Sequence, residues 1–149
     1  MTPHPADREL WTCPACGRGF ANRNQPHACG RHALDAHFAG KPPEVRALFD
    51  ALLERVRACG PVTVLPEKTR IAFQVRMSFA VAMPRGAGLD GHLVLARRAQ
   101  HPLFRRVESL SPRNHVHHFR LREAADLTPA FDALLREAYA VGQQRHLAR

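Results

Sequence analysis

The sequence predicts an α+β fold, in which a small antiparallel sheet is packed by two main helices and preceded by a small zinc knuckle. Residues 43–58 repeat apolar side chains at helical spacing. Residues 70–83 instead alternate apolar side chains with small, polar or basic ones, which is the period of a strand. Three of the four cysteines lie in the first 33 residues, a stretch with few apolar side chains. We therefore expect two units, a zinc-binding module over 1–33 and an α+β domain over 34–149.

The composition is that of a folded protein. Hydrophobic residues make up 45% of the 149 and charged residues 23%, which is typical of globular chains. No apolar run approaches the roughly 20 residues that a membrane-spanning helix needs, and the N-terminus lacks the basic start and apolar stretch of a secretory signal. We therefore expect a cytoplasmic protein with no membrane partner, whose cysteines are reduced thiols or metal ligands.

Cap and turn residues delimit the helices of the larger unit. The Pro-Pro pair at 42–43 suits the start of the first helix, and Gly60 suits its end. Near the C-terminus, Thr128 is suited to cap a second helix that ends before Gly142. A short helical piece is expected between these elements, over 102–110.

The strands are predicted from alternation. The odd positions of 70–83 are apolar and are expected in the core, and the even positions are expected on the other face. Because a mean strand has only ~5–6 residues, we expect a bent strand or two strands broken near Met77-Ser78. Further strands are expected over 92–98 and 116–122, with turn chemistry over 84–91.

Two patterns that suggest ligand binding are interpreted structurally. The glycines of 86–91 match a dinucleotide-binding pattern, but a strand-like segment follows them where that motif needs a helix, so a hairpin is expected. His115, His117 and His118 are not expected to hold a metal, because only alternate residues of a strand share a face.

The cysteine cluster has the ligand types and spacing of a zinc site. Cys13 and Cys16 form a C-x-x-C pair, and His27, Cys29 and His32 follow within sixteen residues. Structural zinc takes four tetrahedral nitrogen or sulfur donors, so the segment offers one candidate more than it needs. On spacing alone, either histidine completes the site. Metal binding would also supply the folding free energy that a segment with so few apolar residues lacks.

Two other interpretations of this cluster are disfavoured. A redox C-x-x-C is typical of a βαβ pattern, which this chain lacks. A catalytic zinc keeps one coordination position open, which the nearby fourth donor would fill. Cys59, at the end of the first helix, is interpreted as a buried small residue.

The cysteine cluster belongs to a longer series of motifs. In chain order these are W-x-C-P-x-C-G-R-x-F, Q-x-H-x-C, L-x-x-H-F-x-G-K-P, E-K-T-R-I-x-F, H-H-F-R-L and A-Y. With them, residues 11–140 resemble a bacterial family catalogued only as a domain of unknown function, number 5655. The resemblance implies no activity, and it implies as zinc ligands Cys13, Cys16, His27 and Cys29.

Positive charge is concentrated in the predicted strands. The chain carries 22 basic and 13 acidic side chains, and residues 61–122 hold eleven of the bases against three acids. Strand parity places several polar and basic side chains on one side of the sheet, where arginines could bind phosphates in bidentate fashion. The alternative is a solvated sheet face, or one partly covered by the zinc module. The candidate residues are Lys68, Arg70, Gln74, Arg76, His118 and Arg120.

Three functions are consistent with these features. The first is a non-enzymatic module that binds nucleic acid or another polyanion with the basic side of the sheet. The second is a protein, with or without enzymatic activity, that binds a small anionic ligand with the same side chains. The third is an interaction module for an acidic protein. Because no motif nominates a nucleophile, we favour binding over catalysis.

Overall fold

The computed structural model describes residues 2–147 and contains two antiparallel sheets and two long helices. The predicted α+β fold is confirmed. The two predicted units include Met1, Ala148 and Arg149, which lie outside the described residues. The helices are α1 (Pro43–Cys59) and α2 (Pro129–Gly142). The small sheet pairs β1 (Trp11–Thr12) with β2 (Gly19–Phe20). The large sheet has the order β3-β4-β5-β6-β8-β7, with β3 (Thr63–Pro66), β4 (Ile71–Gln74), β5 (Ser78–Arg85), β6 (Gly88–Leu95), β7 (Phe104–Ser111) and β8 (Asn114–Leu121).

The predicted caps delimit both helices. Gly60 follows α1 with φ +146°, and a Cβ at this position would lie 2.5 Å from the hydroxyl oxygen of Tyr139, so only glycine fits. At the start of α2, the Thr128 hydroxyl accepts a hydrogen bond from the Phe131 amide at 3.3 Å. The helix runs one residue further than predicted, because Gly142 is its last residue.

Both helices pack on one face of the large sheet and form the core with it. The ring of Phe49 in α1 stacks on that of Phe73 in β4 at 6.0 Å, and Phe131 in α2 meets Phe119 in β8 edge to face at 5.2 Å. His117 is fully buried on this helix-covered face. Its Nε2 accepts from the Ala99 amide at 2.9 Å, and its Nδ1 donates to the His115 carbonyl at the same distance.

The long alternating segment forms two strands, β4 and β5, joined by a three-residue turn. The predicted break near Met77-Ser78 is therefore confirmed. The prediction that every odd position faces the core is wrong beyond the turn, since Phe73 of β4 pairs with Ala80 of β5 and both belong to the core. A register shift opposite Gln74 leaves Phe79 as an extra residue in β5, and a bulge of this kind reverses the parity of the residues that follow.

The face opposite the helices is called here the open face. Register places Ala72, Val81, His92 and His118 in one row across β4, β5, β6 and β8 on this side. Arg120 lies in the next row, beside Asp90 of β6. The predicted division of β8 is thus confirmed, with His117, Phe119 and Leu121 buried towards the helices and His118 and Arg120 on the other face.

Two segments differ from the sequence prediction. The helical piece expected over 102–110 is wrong, because β7 occupies Phe104–Ser111 and pairs with β8. An edge strand has only one neighbour, and most side chains of β7 are exposed, so no alternation marks it in the sequence. The second segment is β3, another edge strand, which the sequence analysis did not identify. The turn predicted over 84–91 is shorter than expected. β5 and β6 both extend into this segment, and only Gly86 and Ala87 remain as the hairpin loop.

Exchanging His117 tests the buried hydrogen bonds of the core. We expect His117→Leu to lose about 1–3 kcal/mol of unfolding free energy at pH 7, because the Ala99 amide then has no acceptor in a buried site. His117→Gln keeps an acceptor and should lose less. Chemical denaturation measures both variants.

The same pair of variants tests the acid sensitivity of the fold. Burial lowers the pKa of His117, so the unfolded chain binds a proton more readily, and stability contributed by the neutral ring is lost as the pH falls below about 6.5. His117→Gln cannot titrate and should show a smaller loss between pH 7 and pH 5 than the wild type. An equal loss in both proteins would show that His117 does not contribute.

Candidate metal centre

The N-terminal module is organised by a tight turn around its first two cysteines. The Cys13 amide donates to the Arg18 carbonyl at 2.9 Å, and the Gly17 amide donates to the Cys13 carbonyl at 2.8 Å. Gly17 has φ +77°, a conformation that glycine adopts without strain. Residues 13–18, called here the knuckle, therefore connect β1 to β2 and hold the Cys13 and Cys16 side chains on the same side.

Four side chains of the module converge on one point. The donor atoms of Cys13, Cys16, His27 and Cys29 all lie within 4.8 Å of one another. The Cys13 and Cys29 sulfurs are 3.8 Å apart, and the His27 Nε2 lies 3.3 Å from the sulfurs of Cys16 and Cys29. The segment between β2 and α1 thus brings the second pair of donors back to the knuckle.

These separations fit a tetrahedral metal ion. Zinc binds sulfur at about 2.3 Å and imidazole nitrogen at about 2.0 Å. In a tetrahedron these bond lengths place two sulfurs about 3.8 Å apart and a sulfur about 3.5 Å from a nitrogen. The observed separations agree with both values to within a few tenths of an ångström. All four donor atoms lie within 4.8 Å of one another, so the Cys3His cluster could bind a metal ion with at most a small inward movement of its donors.

A hydrogen bond to the backbone fixes the orientation of the His27 ring. Its Nδ1 lies 2.6 Å from the Gln25 carbonyl oxygen, which can only accept, so Nδ1 carries the hydrogen and Nε2 presents its lone pair to the sulfurs. This hydrogen bond also raises the pKa of His27. Phe20 packs against the imidazole at 4.3 Å and Trp11 packs on Phe20, forming a small aromatic core for the module.

The pKa values of two of the clustered cysteines, Cys13 and Cys29, are shifted in opposite directions. The backbone amide of Cys16 donates to the Cys13 sulfur and, with that of Ala15, lowers the pKa of Cys13 to about 6. The hydrogen bond between the Cys29 and Cys13 sulfurs, together with burial, raises the pKa of Cys29 to about 11. One thiolate therefore opposes ionisation of its neighbour, whereas a divalent cation would stabilise several thiolates at once.

The two remaining candidates of the sequence analysis lie elsewhere. His32 is exposed and is not part of the converging group. Cys59 is half-buried at the end of α1 rather than buried, and its thiol donates weakly to the Arg55 carbonyl. Position in space therefore separates His27 from His32, which spacing along the chain did not.

The module is seated on the large sheet through polar contacts. The side-chain amide of Gln74, at the end of β4, donates to the Gly19 carbonyl of β2 at 2.7 Å. Arg76, in the turn after β4, donates to the Arg8 carbonyl and to the Gln144 side chain. Because Gln74 ends β4 and Arg76 follows it, the module covers one end of the open face.

A cleft of about 240 Å³ lies between the module and the sheet. One wall is formed by residues of the segment 18–26, and the other by residues around β4 and its turn. Glu67 is the one acidic residue in its lining. The polar and charged side chains on its walls are Arg18, Asn22, Gln25, Glu67, Arg70, Gln74, Arg76 and Ser78.

The predicted basic residues divide into two groups. Arg70, Gln74 and Arg76 line the cleft, and Lys68 is exposed in the turn between β3 and β4. His118 and Arg120 lie further across the open face, on β8. Arg18, which the sequence analysis did not single out, joins the first group because the knuckle turns it towards the sheet. Arg18 lies 52 positions before Arg70, so no local sequence pattern indicates that the two residues line one cleft.

Acidic neighbours already pair with the second group. Arg120 bonds the Asp90 carboxylate at 3.0 Å, and His118 bonds Glu108 at 2.5 Å. The hydrogen bond from His118 is the main cause that lowers the pKa of Glu108. Beside this pair, burial and then the charge of His118 lower the pKa of His92 to about 4, so His92 is neutral near pH 7. This part of the open face is therefore less positive than its sequence suggests.

The chain belongs to the family described as "Domain of unknown function (DUF5655)", which matches residues 34–142. The match begins after the Cys3His cluster and covers both helices and the large sheet. Neither a curated protein nor a solved structure matches the chain. No helix within residues 2–147 has both the length and the apolar character to cross a membrane.

Metal binding by the cluster can be tested with cobalt(II), whose spectrum reports tetrahedral thiolate ligation. We expect the wild type to bind one ion per chain and Cys29→Ser to bind it far more weakly, because a serine hydroxyl is a poor substitute for a thiolate. His32→Asn and Cys59→Ser are the matched controls and should bind as the wild type does. Loss of binding in His32→Asn with retention in His27→Asn would contradict the assignment.

Proposed function

We propose that this DUF5655 member is a non-enzymatic binding protein, with structural zinc in its N-terminal module and a basic sheet surface that binds phosphate groups of nucleic acid. The observation that carries the proposal is the seating of the Cys3His module on the open face. There the knuckle brings Arg18 to the cleft that Arg70 and Arg76 also line. The division into a module over 1–33 and a domain over 34–149 is part of this proposal.

Zinc is the metal that the donor set supports best. Three thiolates and one imidazole in tetrahedral arrangement are a common structural zinc set, and zinc has no preference for another geometry. A fourth protein donor completes the coordination shell, which supports a structural rather than a catalytic ion. A cytoplasmic location, where thiols stay reduced, would keep these cysteines available as ligands.

Arginine chemistry supports binding rather than proton transfer. A guanidinium is charged at every accessible pH and presents several donors in a plane that matches a phosphate. With a net charge of +9, the chain would also attract nucleic acid over a distance. Few aromatic side chains are exposed, so contacts to the backbone are favoured over stacking on bases.

A small anionic ligand is the second candidate function. The ion pairs of Arg120 and Arg106 with neighbouring acids reduce the charge of the open face away from the cleft. At the cleft, which is bounded on two sides, Arg70 pairs with Glu67 at 3.3 Å, whereas Arg18 and Arg76 form no ion pair within residues 2–147. This arrangement would suit a compact anion that the cleft encloses.

Salt dependence distinguishes the two functions. If nucleic acid is the ligand, the protein should shift a generic DNA or RNA fragment at low salt and release it as salt rises, because each phosphate contact displaces counterions. Lys68→Gln together with Arg70→Gln should reduce the slope of log affinity against log salt by roughly one per lost contact. Mobility shift across a salt series measures this, with metal content by mass spectrometry on the same sample.

The control is Arg136→Gln on the exposed side of α2, which removes one positive charge from the helix layer. This variant should leave the slope unchanged. Absence of any shift at low salt would reject nucleic acid as the ligand. Zinc-free protein with an intact module would reject the structural metal.

A further inference from the structure

The cleft between the module and the sheet has the dimensions and lining of a site for one compact anionic group. Its volume of about 240 Å³ is below the roughly 300–1,000 Å³ of sites for drug-sized ligands. Three arginines from separate parts of the chain line it, namely Arg18, Arg70 and Arg76. A phosphate with an attached sugar is of suitable size, whereas a longer run of nucleotides would have to extend outside.

The arginines of the cleft keep donors available for a ligand. Arg70 bonds Glu67 through its Nε at 3.3 Å, which leaves both terminal nitrogens for other contacts. Arg76 uses its Nε and one terminal nitrogen to hold Gln144 and the Arg8 carbonyl, and its other terminal nitrogen remains.

Arg18 supplies the most direct indication of a ligand. Its Nε is buried and has no hydrogen-bond partner within residues 2–147. A buried donor without a partner is costly in free energy. The terminal nitrogens of Arg18 are not buried and form no hydrogen bond within residues 2–147, so they are the donors that an anion in the cleft would contact. The guanidinium lies over the Phe20 ring at 4.9 Å, which limits its movement.

We propose that this cleft binds the terminal phosphate of a nucleic acid strand, with Arg18 as the contact that the metal centre positions. The inference rests on the proposed function, because it takes nucleic acid as the ligand. Three guanidinium groups and the Glu67 carboxylate together carry two positive charges. A terminal phosphate, with a charge of about −1.5 to −2 at pH 7, matches them better than a backbone diester with a single negative charge.

The metal centre and the cleft share one segment of chain. The wall formed by residues 18–26 runs from the second metal ligand, Cys16, to the third, His27. A bound ion therefore holds both ends of this wall. The hydrogen bond from the Cys13 amide to the Arg18 carbonyl ties the arginine directly to the knuckle. Binding of metal and of phosphate should consequently be coupled.

The test compares short single-stranded oligonucleotides of one sequence, with a 5′-phosphate, with a 3′-phosphate, or with neither. We expect one phosphorylated form to bind the full-length protein about tenfold more tightly than the unphosphorylated form. Arg18→Gln should abolish this preference while retaining its metal, and its affinity for the unphosphorylated strand should fall by no more than the loss of one phosphate contact. Arg136→Gln, which removes the same charge from the helix layer, should keep the preference.

Inorganic phosphate and a chelator complete the experiment. Free phosphate should compete with the phosphorylated strand more effectively than with the unphosphorylated one, and metal removal should abolish the preference. Equal binding of all three strands would overturn the terminal-phosphate site and leave backbone binding standing. Binding of none of them would overturn the proposed function as well. A preference that survives in Arg18→Gln or in metal-free protein would overturn the role of Arg18 or of the metal.

Discussion

The convergence of three sulfurs and one imidazole is the constraint on which the N-terminal module depends. The rings of Trp11, Phe20 and His27, with the buried Ala6 and Cys13, form the small core of the module. This is too little apolar surface to offset the entropy of ordering some thirty residues. A metal ion can provide that free energy through four bonds. The turn of the knuckle and the contact of Gly19 with Gln74 of β4 both lie within a few residues of one of the four donors.

The large sheet provides the surface on which this module acts. Both helices cover one face, and the core of phenylalanine and leucine side chains lies between the layers. The bulge at Phe79 permits this arrangement. It allows an apolar residue on each side of the turn to face α2 and the core. Gln74, by contrast, faces the module. The extra residue reverses the parity of the rest of β5 and so determines which of its side chains face the core.

Electrostatic pairing determines where the positive charge is effective. The strands carry a large excess of arginine, but Asp90 and Glu108 lie beside Arg120, Arg106 and His118 and neutralise much of the centre of the open face. At the cleft the balance differs, since three arginines, one from the knuckle, one just before β4 and one from the turn after it, share one carboxylate in the lining. Charge counted along the chain thus overstates the breadth of the basic surface and misses its concentration at one end.

The sequence by itself determined the α+β class, α1 and α2 with their caps, the break at Met77-Ser78, and the candidate donors Cys13, Cys16 and Cys29. These features are local, because helical periodicity, strand alternation, capping and ligand spacing are all set within about twenty residues. The tertiary structure alone decided that β7 is an edge strand, that parity reverses at Phe79, and that Arg18 and Arg70 line one cleft. It also separated His27 from His32, which the residues' spacing had left open and a family resemblance had only suggested. The cleft depends on contact between segments far apart in the chain. The edge position of β7, the bulge at Phe79 and the choice of His27 depend on strand pairing and chain path, which the pattern of neighbouring side chains does not specify.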